Sequence, residues 1–202
     1  LAYTVGKYKL HRNEPENKTE PGHGYYCLIW RKNSQGKWEI VFCRGLLLEK
    51  IANQQPPHLN QKRNLSPNEK DLIKTELQFS QYSLRHGTAG AFFNYIDNNG
   101  IALSPSGPQK KDFYRQQMIK KPREGWKSQL QWYPIFTSVS VSGDLGYNFG
   151  PYEYNITNPT GKSRIFYGYF MTIWKKQPDG SWKFLFDGGN QSPAPKKSLE
   201  IR

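Results

Sequence analysis

The stretch LGYNFGPYEYNITNPTGKSRIFYGYFMTIWKKQPDGSWKFLFDGG, residues 145–189, decides how this chain is read, because it occurs twice. Laid without a gap on residues 1–45, it puts Leu145 on Leu1, Tyr147 on Tyr3, Gly150 on Gly6, Tyr152 on Tyr8 and Pro159 on Pro15. Gly24, Tyr25, Ile29, Trp30, Lys32, Gly36, Trp38, Phe42 and Gly45 then fall on Gly168, Tyr169, Ile173, Trp174, Lys176, Gly180, Trp182, Phe186 and Gly189. Register kept through two loops indicates duplication of one supersecondary unit, since convergence on turn chemistry would not keep the strand residues in step.

Each copy alternates apolar and polar residues with the period of a strand. YYCLIWRK and KWEIVFCR flank NSQG, and YFMTIWKK and SWKFLFDG flank QPDG. Pro, Asp and Gly at successive turn positions suit a type I turn closed by a left-handed glycine. That turn sets Trp30 opposite Ile40 and Trp174 opposite Phe184. It puts Phe170, Thr172, Trp174, Trp182, Phe184 and Phe186 on one apolar face, to be buried, and Lys175, Lys183 and Asp187 on the other. It also sets Cys27 opposite Cys43 at a hydrogen-bonded pair, where Cα atoms lie about 5.5 Å apart with splayed side chains. A bridge wants closer Cβ atoms, so two unbridged thiols are expected.

The chain has 202 residues, 36% of them hydrophobic and 15% aromatic, enough for a sizeable core. Its apolar runs, such as YFMTIW at 169–174, are far shorter than the roughly 20 residues that cross a bilayer, so no membrane partner is expected. Leu1 has no charged and apolar leader before it, so any targeting peptide is removed or was never present. The compartment stays open between periplasm or exterior and cytoplasm. The formal charge is +13, but 11 basic and 5 acidic residues up to position 65 and 18 and 11 beyond it spread the sign evenly. Without a basic arm, nucleic acid is not the expected partner.

Residues 49–65 have the Gln, Asn and Pro content of a linker. Ser66-Pro67-Asn68-Glu69 is a capping box with proline at the first helical position. Leu72, Ile73, Leu77 and Leu84 recur at helical spacing up to His86-Gly87. A second short helix runs from Thr88 to Ile96 and stops at the turn DNNG, IALSP is a short strand, and DFYRQQMIKK is a third helix. LQWYPIFTSVSV, 130–141, is a long strand with Pro134 marking an edge or a bulge. The expected domains are 1–48, a partial first repeat holding only the sheet half; 49–65, a linker; 66–192, a complete domain; and 193–202, a tail.

The succession SLRHGTAGAFFNYIDNNGIALSPSG, a short helix, Trp132-Tyr133-Pro134, SGDLGYNFGPYEY and GYFMTIWKKQPDGSWKFLFDGG resembles the nuclear transport factor two-like superfamily, in its SnoaL-like and ketosteroid-isomerase-like bacterial branch. The resemblance covers about residues 66–190. It implies an α+β cone of the cystatin-like kind, a curved antiparallel sheet wrapped on three N-terminal helices around a pocket, preceded here by a partial all-β repeat. It also implies that a catalytic member uses one or two carboxylates or a His inside the cone.

No HExxH, CxxC, phosphate-cradling or nucleophile-elbow motif occurs. The candidates are therefore Asp97, Asp112, Asp144, Glu153, Asp187 and His86. Asp187 ends the last strand and is replaced by Cys43 in the other copy, as a group needed in only one pocket would be; yet Asp before Gly-Gly is also a turn former, and strand parity sends it outward unless a bulge near Leu185 turns it in. His86 sits where a helix end would hold it. In DNNG, Asn98 stands where relatives carry a second acid, and two Cys without metal spacing exclude a metal cluster. No cofactor is expected. Tyr95, Phe113, Trp132, Tyr147, Tyr152, Phe170 and Phe184 are the pocket-wall candidates, with core packing as their ordinary role. Asn17, Asn64, Asn155 and Asn190 are glycosylation sequons.

Three functions follow. The first is a non-catalytic binding domain for a small apolar or aromatic molecule. The second is an isomerase, dehydratase or hydrolase on a ring-containing substrate, with Asp187 or His86 as general base and Tyr147 or Tyr152 as donor. The third is a structural or assembly module, in which an outer sheet face carrying Tyr169, Met171 and Ile173 pairs two domains, or two subunits of a homodimer.

Overall fold

The computed structural model describes residues 1–10, 22–46, 64–104 and 106–193; the loop expected at 11–22, the 49–65 linker and the tail lie almost wholly outside these. The chain divides into two compact units, Leu1–Gln54 and Gln55–Arg202.

The first unit is an antiparallel sheet of β1 (Ala2–Leu10), β2 (Gly22–Lys32) and β3 (Trp38–Leu46), in that order. In the second unit, helix α1 (Pro67–Tyr95) is followed by β4 (Ile96–Ser104), β5 (Gly107–Gln109), helix α2 (Lys111–Ile119), β6 (Lys127–Trp132), β7 (Phe136–Val139), β8 (Leu145–Thr157), β9 (Ser163–Lys176) and β10 (Trp182–Ser192). The sheet order is β5-β4-β10-β9-β8-β6, with β7 also on β8. All pairs are antiparallel except β4 with β10, which run parallel.

The two similar stretches share more than strand limits. Ala2 pairs with Trp30 as Gly146 does with Trp174. Trp30 pairs with Ile40 and Trp174 with Phe184, and one step later both hairpins slip by one residue, to Ile29 with Phe42 and Ile173 with Phe186. The bulged residues, Val41 and Leu185, are equivalent. The turns match as well: Asn33 N donates to Lys37 O at 2.9 Å and Gln177 N to Ser181 O at 2.7 Å, each closed by a glycine at positive φ, Gly36 at 77° and Gly180 at 83°.

The bulge corrects two expectations that assumed continuous pairing. Cys27 faces Arg44 and Cys43 faces Leu28, so the thiols are not opposite each other; no disulfide joins them, and Cys27 is buried while Cys43 is exposed. Phe186 leaves the helix-side face for the one carrying Ile173, and Asp187, paired with Thr172, takes the helix side instead. A bulge residue has no partner, so every side chain beyond it changes face.

The capping box forms as expected, with Glu69 N donating to Ser66 Oγ at 3.2 Å and Ser66 N to Glu69 Oε2 at 2.9 Å. The first two expected helices are the halves of α1, broken at Gly87, whose φ of 78° no helix accommodates. The buried stripe of α1 differs from the apolar one read in the sequence. Leu77 and Leu84 are exposed, and Glu69, Leu72, Glu76, Phe79, Ser80 and Ser83 face inward. Hydrogen bonds inside the unit make those polar positions tolerable, which apolar periodicity does not register.

DNNG is not a turn that ends a helix but part of β4; its residues are extra ones across from Leu185, between the pairs Phe184–Ile96 and Phe186–Ile101. Pro134 splits the expected long strand into β6 and β7. There β8 slips by one residue, and the approach is so close that a Cβ on Gly150 would lie 1.9 Å from Tyr133 O. The core packs round Phe79, with Tyr95 stacked at 4.8 Å, Phe184 stacked at 5.6 Å, and Trp132 and Trp174 edge-on at 4.7 and 5.8 Å. The expected dimer face is not exposed: Met171 and Ile173 retain 0% and 1% of their accessible surface.

Candidate functional site

The chemistry gathers where α1 crosses the helix-side face of β6, β8, β9 and β10. Glu76, on the buried stripe of α1, is wholly enclosed. Trp132 Nε1 from β6 donates to its Oε1 at 2.6 Å, while Trp174 Nε1 from β9 and Asn148 Nδ2 from β8 donate to its Oε2 at 2.8 Å each. Asn148 is fixed in turn, its Oδ1 accepting from Thr137 Oγ1 at 2.6 Å. Ser80, one turn along α1, accepts from Trp132 N at 2.9 Å. One carboxylate thus ties the helix to three strands.

Burial pushes the Glu76 carboxyl up from its ordinary 4.5 to about 7; the donors from Asn148, Trp132 and Trp174 oppose that rise and the negative charge of Asp187 adds to it. Asp187 lies on the same face, partly open to solvent, and Thr172 Oγ1 donates to its Oδ2 at 2.7 Å. Thr172 and Asn148 are paired neighbours across β8 and β9, so the polar contacts of the two carboxylates sit side by side. Burial, with a smaller contribution from Asp187, also raises the Tyr114 hydroxyl of α2. The interior therefore joins an aromatic cluster to a short polar strip with negative charge at its partly open end. Such a strip can accept hydrogen bonds from a ring-bearing molecule, or a proton.

The structure scatters most of the sequence candidates. His86 is exposed beside the α1 break, its ring 4.2 Å from that of Tyr82. Asp97 accepts from Asn99 N at 2.9 Å and from Gln177 Nε2 at 3.1 Å. Asp112 pairs with Arg115 at 3.4 Å on exposed surface. Asp144 accepts from Ser140 and Ser142, and those hydroxyls hold its carboxyl below the usual range. Glu153 accepts from Gln131 Nε2 at 2.9 Å. None of these is brought to Glu76. Asp187 is, contrary to the outward parity expected for it.

Of the pocket-wall candidates, Trp132, Phe170 and Phe184 belong to the buried cluster, and Tyr95 and Tyr152 pack against it. Phe113 is partly exposed, edge-on to Tyr114 at 5.2 Å. Tyr147 pairs with Ile173, which places it on the opposite face of the sheet, 5.6 Å from the Phe136 ring. Glu76, Asn148 and Thr172 were missed. The signal for Glu76 was its place in the series 69, 72, 76, 79, 80, 83, which keeps one helical face. Among the described residues, no group of three or more His, Cys, Asp or Glu could hold a metal ion.

No family model matches this sequence, and no curated protein matches it. Solved structures do. A ketosteroid isomerase-like protein from Erwinia carotovora atroseptica superposes with a TM-score of 0.51 at 16% identity, covering 64% of this chain and 100% of that one. A nuclear transport factor two-like superfamily protein from Salmonella enterica gives 0.46 at 13% identity, covering 66% of this chain and 96% of that one. ActVI-ORFA from Streptomyces coelicolor gives 0.49 at 9%, covering 62% and 97%. Identities this low speak to fold and not to chemistry. About two thirds of this chain thus shares the α+β fold of the ketosteroid isomerase-like protein, a curved antiparallel sheet with helices against it.

Proposed function

We propose that residues 66–192 form a small-molecule-binding cone domain, and that it takes a ring-bearing ligand with a hydrogen-bond donor, whose ring meets the aromatic cluster and whose donor meets Asp187. The observation that carries this reading is the slip at Leu185, which turns Asp187 onto the helix-side face within 2.7 Å of Thr172 Oγ1. Apolar walls with a few placed polar groups are the usual composition of a ligand site. Glu76 is the support and not the contact, since its oxygens are already engaged by three N–H groups. Residues 1–48 are then an incomplete repeat in which the same sheet keeps its register without the polar strip: Asn148, Thr172 and Asp187 are replaced by Thr4, Leu28 and Cys43.

A second reading is supported by the same inward turn. Asp187 is then a general base on a ring-containing substrate, with Tyr114 near it and His86 too far out on the surface to act. The test is a ligand-observed NMR screen of ring-containing amines, phenols and hydrocarbons against the full chain and its Asp187→Asn variant. Donor-bearing rings are expected to bind the parent chain and to weaken about tenfold in the variant, the loss of one charged hydrogen bond. Hydrocarbons binding both proteins equally well, with no preference for donors, would sink the assignment. Turnover of any hit by the parent but not the variant would move the reading to the enzyme.

A further inference from the structure

The interior positions around the polar strip are acidic and aromatic. Among the described residues, the helix-side positions of β8 from Gly146 to Tyr152, of β9 from Gly168 to Trp174 and of β10 from Trp182 to Gly189 hold one acid, Asp187, and no Lys or Arg. The buried stripe of α1 adds Glu69 and Glu76, again without a base. Glu69 is engaged at the helix cap, where its Oε2 accepts from Ser66 N, so the acids of the strip are Glu76 and Asp187. The residues beside Asp187 are small. Its partners on the two neighbouring strands are Thr172 of β9 and Ala102 of β4, and the next helix-side residue along β10 is Gly189. The Tyr152 ring lies over that glycine, where a Cβ would come 3.0 Å from its Cε1, and Phe170 pairs with it. Tyr114 of α2 is close enough for its hydroxyl to respond to the Asp187 charge. Small residues thus let three rings gather about one carboxylate.

Aromatic faces are negative and attract cations, most strongly where water is excluded. A neutral donor would meet the carboxylate alone, whereas an ammonium meets the carboxylate and the rings together. We propose that the ligand is a cation, a ring-bearing molecule with a protonated amine, whose ammonium sits at Asp187 among Tyr114, Tyr152 and Phe170. The inference rests on the binding domain proposed above and names the charge of its ligand. Glu76 makes that binding depend on pH. The Asp187 charge adds to the rise of the Glu76 carboxyl to about 7, so a cation placed at Asp187 offsets that part of it and favours the ionised form. Coupling between two sites is reciprocal, and the amine therefore binds more tightly once Glu76 has lost its proton. The other groups facing Glu76 do not titrate in this range. Trp132 from β6, Asn148 from β8 and Trp174 from β9 are neutral, Asp187 from β10 is the binding acid itself, and Tyr95 and Tyr114 have hydroxyls raised above their ordinary 10.

The probes share one ring system: naphthylmethylamine, protonated at both pH values used, naphthylmethanol and methylnaphthalene. Each is titrated into the full chain at pH 6 and pH 8 and followed by ligand-observed NMR, with circular dichroism confirming that the variant is folded. At pH 8 the amine is expected to bind about tenfold more tightly than the alcohol, the gain of a desolvated cation over a neutral donor. Its affinity should fall several-fold at pH 6 while that of the alcohol stays level, and Asp187→Asn should remove the preference for the amine. Saturating amine should also lower the midpoint of the Glu76 side-chain carboxyl carbon in the parent chain, a readout that needs no change at Glu76. An alcohol that binds as tightly as the amine, with both weakened by Asp187→Asn, would overturn the cation and leave the donor reading standing. Hydrocarbon binding as tight as that of either, or no binding by any probe, would overturn both. A Glu76 midpoint unmoved by bound amine would overturn the placement of the ammonium at Asp187.

Discussion

Glu76 is the residue whose surroundings decide most. A carboxylate wholly out of water is strongly disfavoured unless its lone pairs are engaged, and here three N–H groups from three strands engage them. The folded carboxyl at about 7 lies above its ordinary 4.5. The folded state therefore binds the proton more tightly than the unfolded one, and stability falls as pH rises from about 4.5 to about 7, by on the order of 3 kcal/mol. Urea denaturation at pH 5 and pH 8 should show that decline in the parent chain, and Glu76→Gln, which has no proton to release, should flatten it. A slope unchanged in the variant would place the titration elsewhere. Asp187 contributes to the rise at Glu76, so Asp187→Asn should lower the Glu76 midpoint, read as a shift of its side-chain carboxyl carbon in an NMR titration. The thiols give a third check: Cys43 should react with Ellman's reagent in the native chain, and the buried Cys27 only after denaturation.

At the scale of elements, two slips in pairing shape the second unit. The slip at Leu185 brings Asp187 in and sends Phe186 out. Deleting Leu185 would remove the extra residue yet leave Phe186 paired with Ile173 and Asp187 with Thr172, so both side chains should keep their faces. The deleted chain should therefore still unfold cooperatively in a denaturant titration, and loss of cooperativity would show that the bulge itself, and not the facing it sets, holds the strands together. The other slip sits beside Pro134, where β8 passes the chain so closely that only glycine fits at position 150. Gly150→Ala must displace Tyr133 or the strand and should cost about 3 kcal/mol, near the upper end for an overpacked core position; thermal unfolding at fixed pH would measure it. Gly180→Ala, at positive φ but with open space around it, should cost no more than about 1–2 kcal/mol. The contrast separates steric contact from backbone conformation.

Across the whole molecule, every residue of the aromatic cluster and of the polar strip lies beyond Ser66. A chain beginning at Gln55 should therefore keep the indole N–H signals of Trp132 and Trp174, shifted and protected from exchange by their bonds to Glu76; their collapse into the exposed indole region would show that the cone depends on the first unit. What the sequence by itself determined was the architecture in its local parts: the repeated hairpins with glycine-closed turns, the capping box at Ser66, the helix break at Gly87, and the order of elements that marks the cone. These rest on short-range causes, a required backbone angle or a side chain reaching its own helix end, and a few residues suffice to reveal them. Only the tertiary structure decided which faces those elements present. Sequence parity sent Asp187 outward and Phe186 inward, and helical periodicity chose Leu77 and Leu84 over Glu76 and Ser80, because both readings count apolar residues along one element. Whether a strand slips by one residue, or a buried carboxylate finds three donors, depends on partners as many as 98 positions away in the chain, as for Glu76 and Trp174.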